Sequence, residues 1–254
     1  MDGTFLPLGV NYVRETTIFR EYGPLSGDTM SLGLEYAPGV GSLLSRQTFD
    51  GDARYYLRLG TNGVLAFRAR GYKSWGEFPG YIYFGGNSEL RGYDYLSFLG
   101  NKGFFTNAEL RFPVIEAALT PIGVVGGLRG VFFVGLGSSG YEGQAMTVAT
   151  SKSTTVSPLL GYTFDPTSPS LAAPVFGQPR TINGFRLVDG RASYGFGLET
   201  FALGFPIHFD WSWRTLFNKD WEDYVFSYQG ISEGTTGSQW LRKAKFSVWI
   251  GYDF

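Results

Sequence analysis

The chain has 254 residues, with 21 Lys and Arg against 22 Asp and Glu, and it has no cysteine. A formal net charge of −1 offers no basic excess for binding nucleic acid. The lack of cysteine excludes disulfides, zinc-thiolate sites and cysteine nucleophiles. Mean hydropathy is −0.05, and no run of about 18 apolar residues occurs, so a helical membrane protein is excluded as well.

Alternation of polar and apolar residues with a period of two predicts nine β-strands, because successive side chains of a strand point to opposite faces. The first four are predicted at about Phe5–Phe19, Thr29–Tyr36, Gln47–Leu59 and Val64–Tyr72. The Asn62-Gly63 pair predicts a tight turn before the fourth strand, since this pair supplies the positive φ of a short hairpin. A long loop is predicted next, at Lys73–Gly103.

The fifth strand, Phe104–Phe112, alternates most sharply. One face carries apolar or small residues, and the other carries Phe105, Asn107, Glu109 and Arg111. The first face needs an apolar medium, whereas the charged face needs water or polar partners. This combination recurs along the chain, which also has 18% aromatic residues and 37 glycines. The pattern predicts an all-β fold, an antiparallel transmembrane β-barrel with a polar interior.

The remaining strands are predicted at about Gly127–Gly137, Arg186–Phe201, Pro206–Phe217 and Trp240–Phe254. The link Val114–Gly126 has room for one helical turn. Long loops are predicted at Ser138–Phe185 and Asn218–Gln239, and short turns elsewhere, as in outer-membrane barrels. A soluble β-sandwich is the alternative, although its strands are usually shorter.

Five segments, in order, resemble the C-terminal half of the BamA–TamA (surface antigen) superfamily of outer-membrane assembly and translocation barrels. They are FGGNSELRGY (84–93), FTNAELRFP (105–113), GVFFVGLGSSG (130–140), RASYGFGLET (191–200) and FSVWIGYDF (246–254). The resemblance covers roughly residues 52–254. It implies the C-terminal strands of a sixteen-stranded barrel, with a long loop folded into the lumen. It also implies that the protein inserts or exports proteins at the bacterial outer membrane.

The first of these segments resembles the family's lumen-loop motif. The matching residues are Gly85, Gly86, Leu90, Arg91, Gly92 and Tyr93. The resemblance implies that the arginine pairs with acidic residues of the barrel wall, and a guanidinium fork suits a carboxylate. Glu109 matches one such acid. The second acid of the family pattern is replaced by Gly135, so Glu199 and Asp210 are the other candidate partners. An exposed loop arginine is the alternative.

The last segment resembles the family's closing strand, whose terminal aromatic is read by the assembly machinery. The matching residues are Phe246, Ile250, Gly251, Tyr252 and Phe254. Several aromatic residues, Trp249 and Phe254 among them, are expected near strand ends or on outward faces, where some would form an interfacial girdle. The recurring inward arginines predict either a lumen that guides ions or substrates, or a plugged lumen whose charges pair with one another.

We do not expect an enzyme. His208 is the only histidine and shares a strand face with Asp210, but such neighbours lie about 7 Å apart, too far for a direct hydrogen bond. The chain has one histidine and no cysteine, so it has no His/Cys set for a metal site. We therefore expect neither a metal nor a cofactor, and we interpret His208 as a polar residue of the lumen.

We expect a single transmembrane β-barrel domain over residues 1–254. Because no signal peptide is visible at the N-terminus, we expect it to be the C-terminal part of a longer protein. The expected partners are outer-membrane lipid, client membrane proteins or a passenger, and periplasmic accessory proteins, but no nucleic acid. Two alternative functions remain open: a barrel that anchors a soluble N-terminal domain, and a small-molecule porin, against which the inward-folded loop argues.

Overall fold

The computed structural model describes residues 4–20, 23–120, 123–165, 167–202, 205–235, 237–252 and 254. β-Strands account for 62% of it and helices for 7%, so the predicted all-β class is confirmed. The chain divides into two compact units. Unit 1 comprises Met1–Met146, Ala192–Ser212 and Lys245–Phe254, and unit 2 comprises Thr147–Arg191 and Trp213–Ala244.

The secondary-structure elements are numbered in chain order. The strands are β1 Leu8–Glu15, β2 Ile18–Arg20, β3 Gly23–Ala37, β4 Arg46–Leu59, β5 Gly63–Trp75, β6 Ile82–Phe84, β7 Phe98–Gly100, β8 Lys102–Thr120, β9 Gly123–Gly140, β10 Ala149–Thr150, β11 Thr154–Val156, β12 Leu159–Asp165, β13 Ser168–Phe176, β14 Arg180–Ile182, β15 Arg186–Leu187, β16 Arg191–Ala202, β17 Phe205–Thr215 and β18 Lys245–Ile250. The helices are α1 Lys219–Val225, α2 Ser227–Ser232 and α3 Gln239–Arg242.

One large antiparallel sheet contains the long strands. Its order is β1-β3-β4-β5-β8-β9-β16-β17-β18, and β2 pairs with β3 off this path. Each strand on the path therefore neighbours the next long strand of the chain, which is the simplest antiparallel connection. These nine strands correspond to the nine predicted ones. Among the described strands, β1 and β18 are the two ends of the sheet, and no pairing joins them.

The two faces of this sheet differ in polarity. On one face, termed the polar face, charged and polar side chains are buried: Arg68, Asn107, Glu109, Arg111, Arg129, Glu199, His208 and Asp210. On the other, termed the apolar face, large hydrophobic side chains are exposed: Leu34, Tyr55, Leu57, Phe67, Leu110, Phe132, Val134, Tyr194, Phe196, Phe246, Val248 and Ile250. A soluble domain rarely exposes so large an apolar surface, so this arrangement favours lipid over water around the sheet.

The link Val114–Gly126, which has room for a helical turn, is extended in its described residues 114–120 and 123–126. β8 and β9 continue through it as a hairpin, paired from Ala117↔Gly126 to Thr120↔Gly123. The register shifts between Pro113 and Ile115. Proline has no N–H to donate to the ladder, and such an interruption is commonly accommodated by a bulge.

The predicted long loops contain short elements of secondary structure. Lys73–Gly103 includes the paired strands β6 and β7, and Ser138–Phe185 includes β10 to β14. Helices α1 and α2 lie within Asn218–Gln239. Helix α3 also delays the last strand, which begins at Lys245 rather than Trp240. These short pairings satisfy backbone polar groups locally but are too short to give a clear period of two.

Unit 2 consists of short elements held by side-chain to backbone hydrogen bonds. The side chain of Asn218 caps α1 by accepting a hydrogen bond from Trp221 N at 3.1 Å. Trp221 Nε1 donates to Leu187 O at 2.6 Å, and the Arg186 guanidinium lies 5.0 Å from the Trp221 ring. Arg186 also donates to Lys152 O at 2.7 Å. No helix in the described residues is both long and apolar enough to cross a membrane.

The exposed apolar face leads to a first prediction. Val134 lies on this face and is 55% exposed. In phospholipid vesicles we expect Val134→Arg to lower the free energy of unfolding by about 2–4 kcal/mol, because lipid must then surround a charge. Urea titration of tryptophan fluorescence measures this. Ser153→Arg, at an exposed position of unit 2, is the matched control. An equal loss in both variants would contradict a lipid-facing Val134.

Candidate functional site

The loop Ile82–Gly100, termed the 82–100 loop, returns on itself through the antiparallel pair β6–β7. At its base the Phe84 and Phe98 rings stack with centroids 4.7 Å apart and an interplanar angle of 6°. Phe84 also contacts Phe105 of β8, with centroids 5.3 Å apart. These rings form a buried cluster with Ile82 and Leu90. The cluster packs the base of the loop against the polar face of the sheet.

Three glycines set the course of this loop. Gly85, Gly86 and Gly92 have φ angles of 128°, 91° and 89°, which side-chain-bearing residues rarely adopt. The turn is closed by Gly85 N, which donates to Glu89 Oε2 at 2.8 Å, and by Leu90 N, which donates to Gly86 O at 3.0 Å. The resulting turn directs Leu90 and Arg91, both buried, toward the strands.

Two further glycines, on β9, form the surface that receives the loop. A Cβ atom at Gly135 would lie 2.8 Å from Leu90 Cδ1, and one at Gly137 would lie 2.8 Å from Phe84 Cε2. Gly135 pairs with Asn107, whose Nδ2 donates to Glu89 O at 2.6 Å. The glycine that stands at the family's second acid position therefore has a steric explanation: it makes room for Leu90.

Arg91 lies at the centre of the site and is 6% exposed. Its Nη2 is 2.8 Å from Glu109 Oε1 on β8, and its Nη1 is 3.5 Å from Asp210 Oδ2 on β17. The guanidinium also lies over the rings of Phe133 and Trp249, at 4.7 and 5.5 Å from their centroids. β9 and β16 lie between β8 and β17 in the sheet, so the arginine spans four strands and the sheet curves around it.

The other residues predicted for the site lie on the same face. Glu199, the third candidate partner, is 3.2 Å from Arg129 Nη1, in a separate ion pair. The hydroxyl of Tyr93 donates to Ala192 O of β16 at 3.2 Å, and its ring meets Phe98 edge-on at 5.2 Å. Tyr93 therefore attaches the loop to a further strand.

Both carboxylates at Arg91 also hold other groups. Glu109 Oε2 accepts a hydrogen bond from Arg111 Nη2 at 2.8 Å, and the same Nη2 donates to the backbone oxygen of Phe254 at 3.2 Å. Asp210 Oδ2 accepts from Trp249 Nε1 at 2.7 Å. Glu109 and Asp210 thus connect the 82–100 loop to β18 and to the residue that follows it.

The residues of the closing segment lie on both sides of the sheet. Phe246 and Ile250 lie on the apolar face, 53% and 65% exposed, and Tyr252 is 56% exposed. Trp249, expected near a strand end or on an outward face, is the second-last residue of β18 and lies on the polar side, as does Phe254. Trp249 pairs with His208 across β17–β18, and directly opposed residues share a face.

His208 and Trp249 stack face to face. Their ring centroids are 3.7 Å apart, with an interplanar angle of 4°. His208 Nε2 also shares a hydrogen bond of 2.8 Å with Gly251 O, the residue at which the chain leaves β18. Because His208 is 1% exposed, it is a packed residue of the polar face.

Sequence reasoning missed two glycines of β16 that shape the site. A Cβ at Gly197 would lie 2.1 Å from Asp210 Oδ1, and one at Gly195 would lie 2.6 Å from Phe133 Cζ. Both therefore leave space for side chains around Arg91. Their signal in the sequence is a pair of glycines two residues apart on one strand face, which β9 repeats at 135 and 137.

Most other charges of the polar face are also paired. Arg68 and Arg54 both contact Asp52, at 2.7 and 3.0 Å, and Arg70 contacts Asp50 at 2.9 Å. The space beside Arg91 amounts to about 10 Å³, roughly enough for one water molecule. Of the two interpretations of the inward arginines, these contacts favour mutual pairing in a filled interior.

The ion pairs of Arg91 lead to a second prediction. Arg91→Met should lower the free energy of unfolding by about 3–5 kcal/mol, because it leaves buried carboxylates with one cation fewer. Arg14→Met is the matched control: Arg14 pairs with Asp28 at 3.3 Å but its side chain is 56% exposed. Removing such a pair should cost no more than about 1 kcal/mol. Urea titration in lipid vesicles measures both, and similar losses would contradict the buried pairing.

The glycine surface beneath the loop leads to a third prediction. Gly135→Val should displace Leu90 and expose Arg91 to trypsin, since overpacking costs about 1–3 kcal/mol and raises the opened population by about fivefold to a hundredfold. The rate of cleavage after Arg91, followed by mass spectrometry, measures the opening. Gly71→Val is the control, because nothing lies within 4 Å of a Cβ at Gly71. Equal cleavage of both variants would show that Gly135 does not seat the loop.

Comparison with known families agrees with this arrangement. A family model described as the Omp85 superfamily domain matches residues 10–254, which include the 82–100 loop, β8, β17 and the closing segment. The match confirms the resemblance carried by the five sequence segments. No curated protein matched the sequence. The family comprises bacterial outer-membrane proteins that assemble or transport proteins. Because this match covers nearly the full length of the sequence, the chain belongs to the Omp85 superfamily.

Proposed function

We propose that this chain forms the C-terminal strands of a sixteen-stranded transmembrane barrel that inserts or exports proteins at the bacterial outer membrane. In this proposal residues 1–254 are one barrel domain, and the 82–100 loop lies inside it. The superfamily role in protein assembly and transport supports the proposal at a coarser level. The specific role in inserting or exporting proteins is argued from the geometry of the polar face.

One observation carries the proposal: Arg91 is buried between carboxylates of β8 and β17. Breaking a buried ion pair is strongly unfavourable, so the loop is held firmly across the polar face. A porin needs a continuous water-filled path, whereas the 82–100 loop is packed against the polar face and its Arg91 is buried. A loop fixed in this way favours a barrel that handles proteins over one that conducts small molecules.

The last strand offers a route for client strands. β18 leaves one edge unpaired among the described strands, whereas β1 would pair with a preceding strand in the proposed barrel. Unpaired strand edges present N–H and C=O groups that pair with an incoming strand. β18 is short, six residues, and its pairing ends at Ile250, after which Gly251 has a φ of 154°. Such an edge would open sideways to a client strand.

The network around Arg91 would keep this edge in place. Asp210, which faces Arg91, also accepts the hydrogen bond from Trp249 of β18. Loss of Arg91 would leave Asp210 with an unbalanced charge and loosen its hold on the closing strand. The loop therefore positions β18, and client handling should depend on Arg91.

The fourth prediction tests this function. The native protein is reconstituted in liposomes, and a urea-unfolded eight-stranded outer-membrane barrel is added as client. We expect the client to fold faster than in empty liposomes. Heat-dependent gel mobility measures the folded fraction over time. Arg91→Met should slow it about tenfold, the factor given by about 1.4 kcal/mol of lost stabilisation, whereas Arg14→Met should not.

The alternatives give different results. In the liposomes, an anchor barrel would leave client folding at the rate of empty liposomes. In planar bilayers, a porin whose Arg91 is intact would show a large steady conductance. Either result would contradict the proposal.

A further inference from the structure

Two lysines lie side by side on the apolar face of the sheet. Lys73 of β5 and Lys102 of β8 are directly opposed in the antiparallel register. They share this face with Phe67 and Leu110, because residues an even number of positions apart on a strand point the same way. The Cβ atoms of opposed residues are about 5 Å apart, and like charges placed in this way repel each other. In the part of the chain that the structure describes, neither lysine forms an ion pair with a carboxylate.

Uncharged neighbours hold both lysines. Lys73 Nζ lies 5.2 Å from the centroid of the Trp75 ring, in a cation–π contact. Lys102 Nζ donates a hydrogen bond to Gln144 O. The side chains of Lys73 and Trp75 are exposed, and that of Lys102 is half-buried. These contacts orient the two ammonium groups without neutralising them, so the pair presents two positive charges to an anion.

The lysines lie at one end of the apolar band of the sheet. From Gly63, at the tight turn, β5 reaches Lys73 after about 34 Å, at about 3.4 Å per residue. A strand tilt of about 40° reduces this to about 26 Å across the membrane, close to the apolar band of about 25 Å in outer-membrane barrels. The lysines lie at the strand ends joined by the 82–100 loop, and long loops face the cell exterior. They are therefore at the depth of the headgroups of the outer leaflet.

An open strip of the apolar face lies beside Lys73, toward the middle of the membrane. Gly71 is the next outward position of β5 and pairs with Gly51 of β4 and Phe104 of β8. A Cβ at Gly71 would meet nothing within 4 Å. The Phe49 ring borders the strip, since its Cζ lies 3.2 Å from a Cβ at Gly51. The missing side chains leave room for an acyl chain below the two ammonium groups.

We propose that Lys73 and Lys102 bind the phosphate monoester headgroup of a lipid in the outer leaflet, with an acyl chain of this lipid over Gly71. A phosphate monoester carries a charge of about −1.5 to −2, so one headgroup balances both lysines. A phosphodiester has a single negative charge and leaves one lysine unbalanced. The inference depends on the lipid-facing side of the sheet and is independent of client handling on the polar face.

The fifth prediction concerns binding of phosphatidic acid, a lipid with a phosphate monoester. The native protein in detergent micelles is titrated with this lipid, and native mass spectrometry gives the affinity of the first bound molecule. The double variant Lys73→Gln/Lys102→Gln should bind it about tenfold or more weakly than wild type, because two cations near the headgroup are lost. Lys152→Gln/Lys219→Gln, which removes two exposed lysines of unit 2, should leave the affinity unchanged.

Two comparisons identify what the site recognises. Phosphatidylglycerol with the same acyl chains, a phosphodiester, should bind wild type about fivefold or more weakly than phosphatidic acid, because it has less charge for the second lysine. Inorganic phosphate at the same concentration should not displace phosphatidic acid, because it lacks the acyl chains.

A further variant locates the acyl chain. Gly71→Leu should weaken binding of phosphatidic acid about fivefold or more by filling the strip beside Lys73. Gly161→Leu, in β12 of unit 2, is the matched control, because a Cβ at Gly161 also meets nothing within 4 Å. Heat-dependent gel mobility verifies that each variant is folded.

Three results would overturn the inference: equal affinity of wild type and Lys73→Gln/Lys102→Gln, equal affinity for the two lipids, or equal losses in Gly71→Leu and Gly161→Leu. Displacement by inorganic phosphate at the same concentration would also contradict it, since the site would then bind a free anion rather than a lipid.

Discussion

The rest of the site depends on one buried cation. Arg91 reaches Glu109 and Asp210 from a loop, and an unpaired guanidinium in that position would cost several kcal/mol. The positive φ angles at Gly85 and Gly86 bring the arginine inward, and the missing side chain at Gly135 leaves room for the neighbouring Leu90. The turn at Gly85 and Gly86, the open space at Gly135 and the ion pairs of Arg91 are therefore required together.

The same carboxylates extend this dependence to the closing strand. Glu109 reaches Phe254 through Arg111, and Asp210 accepts a hydrogen bond from Trp249. Loss of the Arg91 charge therefore alters the charge balance at Glu109 and at Asp210, the two carboxylates that connect to Phe254 and Trp249. Hydrogen bonds in a low-dielectric interior strengthen one another, so this network is expected to respond as a unit. The loop and the strand edge are thus physically coupled, although they are far apart in sequence.

The difference in polarity between the two faces of the sheet indicates which face contacts lipid and which face holds this network. Buried charges on one face and exposed Phe132 and Val134 on the other reverse the order of a soluble domain. Membership of the Omp85 superfamily accounts for that reversal, since the family resides in the bacterial outer membrane. The polar side of the sheet, in turn, holds the buried ion pairs of Arg91.

The sequence by itself indicated the nine long strands and their two faces and, through the family resemblance, the pairing of Arg91 with Glu109, because alternation and motif spacing are local properties of the chain. It left Glu199 and Asp210 as equal candidates, placed Trp249 near a strand end or on an outward face, and gave the link before Gly126 room for a helical turn. Only the tertiary structure decided these points. Which side chains meet across a curved sheet depends on strand register and on where the chain leaves β18, and residues distant in sequence set both.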